Sequence, residues 1–208
     1  MKIKNVILDL GGVLLNINYQ LTIDAFINLG IEDFQNLYTQ ANQSDLFNRF
    51  EKGKISNKEF VAGIKSYLPE AISEQEIITA WNAMLLDFPR ERLDFLLELK
   101  SKYNTVLLSN TNAIHVEFFQ NQLNEVYGKK SLVPFFNEVY LSCEMGMRKP
   151  DAEIFETVCK KEDFNPNDTL FIDDTIQHIE GATSIGIHAH YLDVKQTNVI
   201  DLVRSLLA

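Results

Sequence analysis

Cysteine is almost missing from this chain. Cys143 and Cys159 are the only two in 208 residues, at a spacing that suits neither a zinc site nor a disulfide framework. Reduced, buried thiols in a cytoplasmic protein are therefore expected. Positive charge is also short: 19 Lys and Arg stand against 29 Asp and Glu, a formal net charge of −10. That balance argues against nucleic acid or an anionic membrane as partner. It does not exclude a phosphorylated metabolite, because local lysines, a metal and backbone amides can invert the potential inside one cleft. Long apolar runs are lacking too. No segment approaches the roughly 18 residues of a membrane span. The first apolar run carries Asp9 and is too short for the core of a signal peptide, so a cytoplasmic location is expected. Internal repeats and low-complexity tracts are absent.

What is present is a series of short apolar runs, each ending in small or polar residues. They are NVILDL (Asn5 to Leu10), TVLLSN (Thr105 to Asn110), NEVYLS (Asn137 to Ser142), TLFIDD (Thr169 to Asp174) and IHAHYL (Ile187 to Leu192). Runs apolar on both faces suit the central strands of a parallel sheet covered by helices. Amphipathic stretches separate them: Arg90 to Lys102, Ala113 to Val126, Asp151 to Asp163, Ile176 to Ile185 and Thr197 to Leu207. Strand alternating with helix predicts an α/β fold, a doubly wound parallel sheet. Asn18 to Asp87 breaks the alternation and reads as helices only: LTIDAFINLG, FQNLYTQANQSDLFNRFEKG, SNKEFVAGIKSYL and SEQEIITAWNAML. Ser56 with Glu59, and Ser73 with Glu76, have capping-box spacing. The expected organisation is a Rossmann-like core of residues 1–17 and 88–208, with a helical cap domain, 18–87, inserted after the first strand.

In such a sheet, ligands bind beyond the carboxyl ends of the strands. Asp9, Ser109-Asn110 and Asp173-Asp174 end three of the runs, and Lys149 lies on the loop after a fourth. Singly, each has a structural alternative: an aspartate that caps a turn, a serine that starts one, a solvated lysine. The adjacent acids Asp173 and Asp174 are harder to dismiss, because they repel each other without a cation. Together the set suits phosphoryl chemistry with Mg²⁺. Asp9 is the candidate nucleophile. Asp9, Asp174 and the Gly11 carbonyl are candidate metal ligands. Ser109 and Asn110 are candidate substrate contacts, and Lys149 offsets charge on the phosphoryl group while holding Asp9.

These motifs carry a resemblance along essentially the whole chain. DLGGV, LLSNTN, GMRKPDAEIF and LFIDDTIQHIEGA resemble the four motifs of the haloacid dehalogenase superfamily, in the subfamily whose helical cap follows the first strand. DLGGV and LSNTN are also similar to the branch containing bacterial alpha-D-glucose-1-phosphate phosphatases. The resemblance implies a nucleophilic Asp9, Ser109 and Lys149 on the phosphoryl group, Asp174 as metal ligand and Asp173 as an auxiliary or outer-sphere ligand. The implied substrate is a small phosphorylated metabolite, and the implied protein is a monomer or homodimer.

One position departs from the family pattern. Most phosphatases of the superfamily carry an aspartate two residues after the nucleophile as general acid and base; here that position is Gly11. General acid–base help typically contributes about 10²–10⁴-fold. A slow phosphatase, a phosphatase that takes its acid from the cap or the substrate, and a phosphate-binding regulatory or interaction protein all stay open. The paired acids argue against a metal-free dehalogenase, and Gly11 against a mutase. None of His115, His178, His188 and His190 stands out as a replacement acid. In the cap, Arg49 and Lys52 flank a helix end and Tyr19 and Trp81 could face a substrate, but helical spacing suits core packing as well.

Overall fold

The computed structural model describes residues 2–31, 33 and 45–208. Five strands, β1 (Asn5–Leu8), β2 (Asn104–Ser109), β3 (Glu138–Leu141), β4 (Thr169–Asp173) and β5 (His188–Tyr191), form one parallel sheet in the order β3-β2-β1-β4-β5. All five expected runs form strands. Helices α1 (Tyr19–Asn28), α2 (Leu46–Glu51), α3 (Asn57–Lys65) and α4 (Glu74–Asn82) come between β1 and β2, followed by α5 (Arg90–Lys100). After β2 comes α6 (Ala113–Tyr127), and after β3 come α7 (Ser142–Met145) and α8 (Ala152–Lys161). α9 (Ile176–Thr183) follows β4, and α10 (Val199–Leu207) follows β5. Residues 34–44, the first part of the expected helix FQNLYTQANQSDLFNRFEKG, lie outside the described residues. Asp151 stands at the N-cap of α8, so Pro150 precedes the helix.

Alternation along each strand sorts the side chains between two helical layers. Val6, Leu8, Leu107, Leu170 and Ile172 pack with Leu96 of α5, Phe119 of α6 and Val203 of α10. Ile7, Val106, Leu108 and Phe171 point the other way, onto Phe155 and Val158 of α8 and Ala182 of α9. Burial on both faces is why the strands read as unbroken apolar runs.

The helices between β1 and β2 build a separate apolar cluster from Phe26, Phe47, Phe50, Phe60, Ile64, Ile77 and Trp81, joined by Ile114 of α6. The chain enters and leaves this layer through paired segments: Ile17 and Leu85 form an antiparallel bridge, and the Asn18 amide donates to the Met84 carbonyl at 2.8 Å. Among the described residues no helix is long and apolar enough to cross a membrane.

Both capping boxes form. The Ser56 amide donates to Glu59 Oε2 at 2.8 Å while the Glu59 amide donates to Ser56 Oγ at 3.2 Å, and Ser73 and Glu76 repeat the exchange at the same distances. Each serine satisfies an amide that helix geometry leaves without a partner. Ser56→Ala and Ser73→Ala should each lower unfolding free energy by about 1 kcal/mol. Urea denaturation checks this: a lower midpoint at unchanged slope is expected, and an unshifted midpoint would mean that the caps do not limit stability.

Candidate active site

Three neighbouring strands, β2, β1 and β4, end side by side. Their in-register pairing sets Leu8 beside both Leu107 and Ile172. Asp9, Ser109 and Asp173 therefore emerge at one edge, each buried. Lys149 reaches the same edge from the loop between α7 and α8, with none of its surface exposed. Its Nζ donates to Asp9 Oδ1 at 2.6 Å, to Asp173 Oδ2 at 2.6 Å and to the Leu108 carbonyl at 2.9 Å. All three ammonium protons are used.

Asn110 is engaged with the main chain of the lysine. Its Nδ2 donates to the Lys149 carbonyl at 2.8 Å and its Oδ1 accepts from the Lys149 amide at 2.9 Å. Both ends of the side chain thus grip the main chain of Lys149. Ser109 differs. Among the described residues the one hydrogen bond of its hydroxyl, to the Asn110 carbonyl, is 3.5 Å long, which leaves it ready for a better acceptor.

Asp173 is also committed. Besides Lys149 it accepts from the Thr175 amide at 2.8 Å and stands 3.0 Å from His178 Nδ1. His178, which had no assigned role, thus braces Asp173 from α9. Nothing in the local sequence signals this, because the contact depends on how α9 lies against β4.

The electrostatics are unbalanced. Asp9, Asp173 and Asp174 offer oxygens that all lie within 4.8 Å of one another. Burial pushes the Asp9 carboxyl up to about 7; Lys149 pulls it down, and Asp173 and Asp174 push it further up. Burial and then Asp173 likewise raise Asp174. Burial also acts to raise Asp173, but Lys149 and His178 outweigh it and hold that group below the usual range. Lys149 is raised, burial being outweighed by its two aspartates. Clustered hard oxygens with excess negative charge fit Mg²⁺, and Asp9, Asp173 and Asp174 are the residues that could hold it. Gly12 shows how close the cradle is. Its φ is +78°, and a Cβ there would lie 2.0 Å from Asp174 Oδ2. At Gly11 a Cβ would meet nothing nearer than Ile17 Cδ1 at 3.5 Å.

A cavity of about 350 Å³ opens beside this edge, between the strand ends and the helical layer. Gly11, Ser109 and Asn110 line one side, and Tyr19, Glu51 and Trp81 the other. Trp81 serves both core and cavity: its ring stacks on Phe47 and His115, and its Nε1 donates to Asn112 Oδ1 at 3.4 Å. Arg49 and Lys52 do not line the cavity; Lys52 pairs with Asp151 at 3.3 Å instead.

Residues 3–186 match the family model of the haloacid dehalogenase-like hydrolases. A D-ribitol-5-phosphate phosphatase of Bacteroides thetaiotaomicron is 31% identical over 184 residues, 88% of this chain and 89% of that protein. A haloacid dehalogenase family enzyme from the same organism, solved with magnesium and inorganic phosphate, is 36% identical with a TM-score of 0.84 over 94% of this chain and 96% of that one. A hydrolase of the same family from Porphyromonas gingivalis is 30% identical, with a TM-score of 0.88 over 100% of this chain and 98% of that one.

The two adjacent glycines should respond oppositely to a methyl group. Gly12→Ala should abolish or greatly weaken Mg²⁺ binding, because it drives a side chain into the Asp174 carboxylate. Gly11→Ala should bind Mg²⁺ as the native protein does. Titration calorimetry measures both, and equal affinities in the two variants would contradict the geometry.

Proposed function

Because the chain belongs to the haloacid dehalogenase-like hydrolases, we propose that it is a Mg²⁺-dependent phosphatase of small phosphate monoesters, sugar or polyol phosphates above all. Hexose 1-phosphates fall in that class, as does the D-ribitol 5-phosphate in the name of the Bacteroides relative. The observation that carries the reading is the buried Lys149 ammonium, which fixes Asp9 at 2.6 Å beside two further carboxylates at the strand ends.

In this reading an Asp9 oxygen attacks phosphorus, the bond from phosphorus to the ester oxygen breaks, and the departing oxygen takes its proton from solvent water. Water then attacks the phosphorus of the aspartyl phosphate, releasing inorganic phosphate and freeing Asp9. Bound Mg²⁺ supplies the positive charge that lets a carboxylate approach a phosphate dianion. Ser109 Oγ donates to a phosphoryl oxygen, and Lys149 keeps Asp9 aimed and favours its ionised form. Residues 18–87 act as a cap over a core of 1–17 and 88–208, excluding water from the cavity as lids do. Gly11 provides no acid for the departing oxygen, so leaving groups of low pKa depart with least difficulty. That same glycine favours the second reading, a phosphate-binding protein without turnover.

One assay separates the two. Purified protein should hydrolyse p-nitrophenyl phosphate with Mg²⁺ and stop in chelator, and Asp9→Asn should fold normally with activity lowered by about 10³-fold or more. Native protein that binds phosphate with Mg²⁺ yet releases no nitrophenol would favour the binding protein. Asp9→Asn at near-native rate would remove Asp9 as nucleophile.

A further inference from the structure

Glu51, the last residue of α2, is the one charged side chain lining the cavity among the described residues; no Lys or Arg lines it. Most other polar groups on this side of the cavity are already engaged. The Thr22 hydroxyl donates to the Trp81 carbonyl at 3.2 Å and accepts from the Met84 amide at 3.0 Å. His115 Nε2 lies 3.2 Å from the Trp81 carbonyl, and burial pulls its pKa down to about 4, so the ring is neutral. Asn112 Oδ1 accepts from the His115 amide and from Trp81. The Tyr19 hydroxyl makes no hydrogen bond to a described residue, and the Glu51 carboxylate has one partner, Arg148 Nη1, 3.1 Å from Oε2. Arg148 is not part of the cavity lining, so it stands behind the carboxylate; burial raises the Glu51 carboxyl, and Arg148 offsets part of that push.

We propose, resting on the phosphatase reading, that Glu51 selects the leaving group. Its carboxylate accepts hydrogen bonds from the hydroxyls of an uncharged polyhydroxylated ester and turns away esters that carry a second negative charge. Two features support this. First, a hydroxyl-bearing chain extending from a phosphoryl group on Ser109 enters a space with largely apolar walls, Leu15, Ile23, Phe47 and Met84 among them, where Glu51 is the one charged acceptor among the described residues. Second, a carboxylate on the leaving group would meet Glu51 with no cation on the wall to offset it. The potential is negative at the Tyr19 side as well: burial, then Asp174, Asp9 and Glu51, push that phenol up to about 12.

Glycerol 3-phosphate and 3-phosphoglycerate test this, because they differ only by a hydroxymethyl group against a carboxylate. The native protein should prefer glycerol 3-phosphate by about tenfold or more in kcat/KM, the size expected of one like-charge contact near a protein surface. Glu51→Gln, nearly isosteric, should shrink that ratio several-fold, and Glu51→Asp should keep it; thermal melting verifies that each variant is folded. Equal kcat/KM for the two esters in the native protein overturns the proposal without any variant. An unchanged ratio in folded Glu51→Gln overturns it as well. If the native protein hydrolyses neither these esters nor p-nitrophenyl phosphate, the phosphatase reading fails and this selection falls with it. Hydrolysis of all three at an indifferent ratio spares the phosphatase and removes only the selector.

Discussion

The Lys149 ammonium lies wholly out of solvent, 2.6 Å from an oxygen of Asp9 and 2.6 Å from one of Asp173. A charge so placed is tolerated only with its hydrogen bonds complete, and removing one member of such a buried pair typically costs about 3–5 kcal/mol. The surrounding chain is built to keep it there. Asn110 grips the lysine main chain from β2 with both ends of its amide. From the other side α9 approaches so closely that a Cβ on Gly181 would lie 2.2 Å from the Pro150 carbonyl. Strand ends, the loop before α8 and the start of α9 are thus tied together by one cation.

One cation does not balance three carboxylates, and the remainder of the site follows from that deficit. Three carboxylates crowded at one buried edge beside a single lysine form a place that fits a divalent metal. Gly12 allows the first loop to pass against Asp174, which no other residue type could do at that backbone angle. The helical layer sets the opposite wall. It is anchored through Trp81, which joins its aromatic cluster to His115 and Asn112, and through Ser142, whose hydroxyl donates to the Glu51 carbonyl at 2.7 Å and accepts from the Thr111 amide at 2.9 Å. Glu51 is therefore held by its main chain as well as by Arg148.

Much of this was legible in the sequence because the signals are local. Unbroken apolar runs announce strands buried on both faces, and each of the five runs forms one. Ser56–Glu59 and Ser73–Glu76 announce helix starts at a spacing of three, and both boxes close. Asp9, Ser109, Asp173, Asp174 and Lys149 could be gathered in advance because parallel strands end on one edge. Non-local facts were hidden. Asn110 sits beside Ser109 in sequence, yet its amide turns to Lys149, 39 residues away. His178 reaches Asp173 through the packing of a helix. Within NRFEKG, Arg49 and Lys52 draw attention as cations, whereas the residue facing the cavity is Glu51, an acid at a helix end that reads as solvated surface. The room at Gly11 also needed coordinates, since a glycine in a turn can be there for space or for backbone angle.

The central claim is that the lysine-held carboxylate of Asp9 carries the phosphoryl group in turnover. Acid quenching during steady-state hydrolysis, followed by borohydride reduction and peptide mass spectrometry, reads this directly. Reduction converts an acyl phosphate to an alcohol and leaves free carboxylates unchanged. The account predicts conversion of Asp9 to homoserine, only when substrate and Mg²⁺ are both present. Reduction at another aspartate, or ester turnover with Asp9 never modified in protein quenched under saturating substrate, would contradict it.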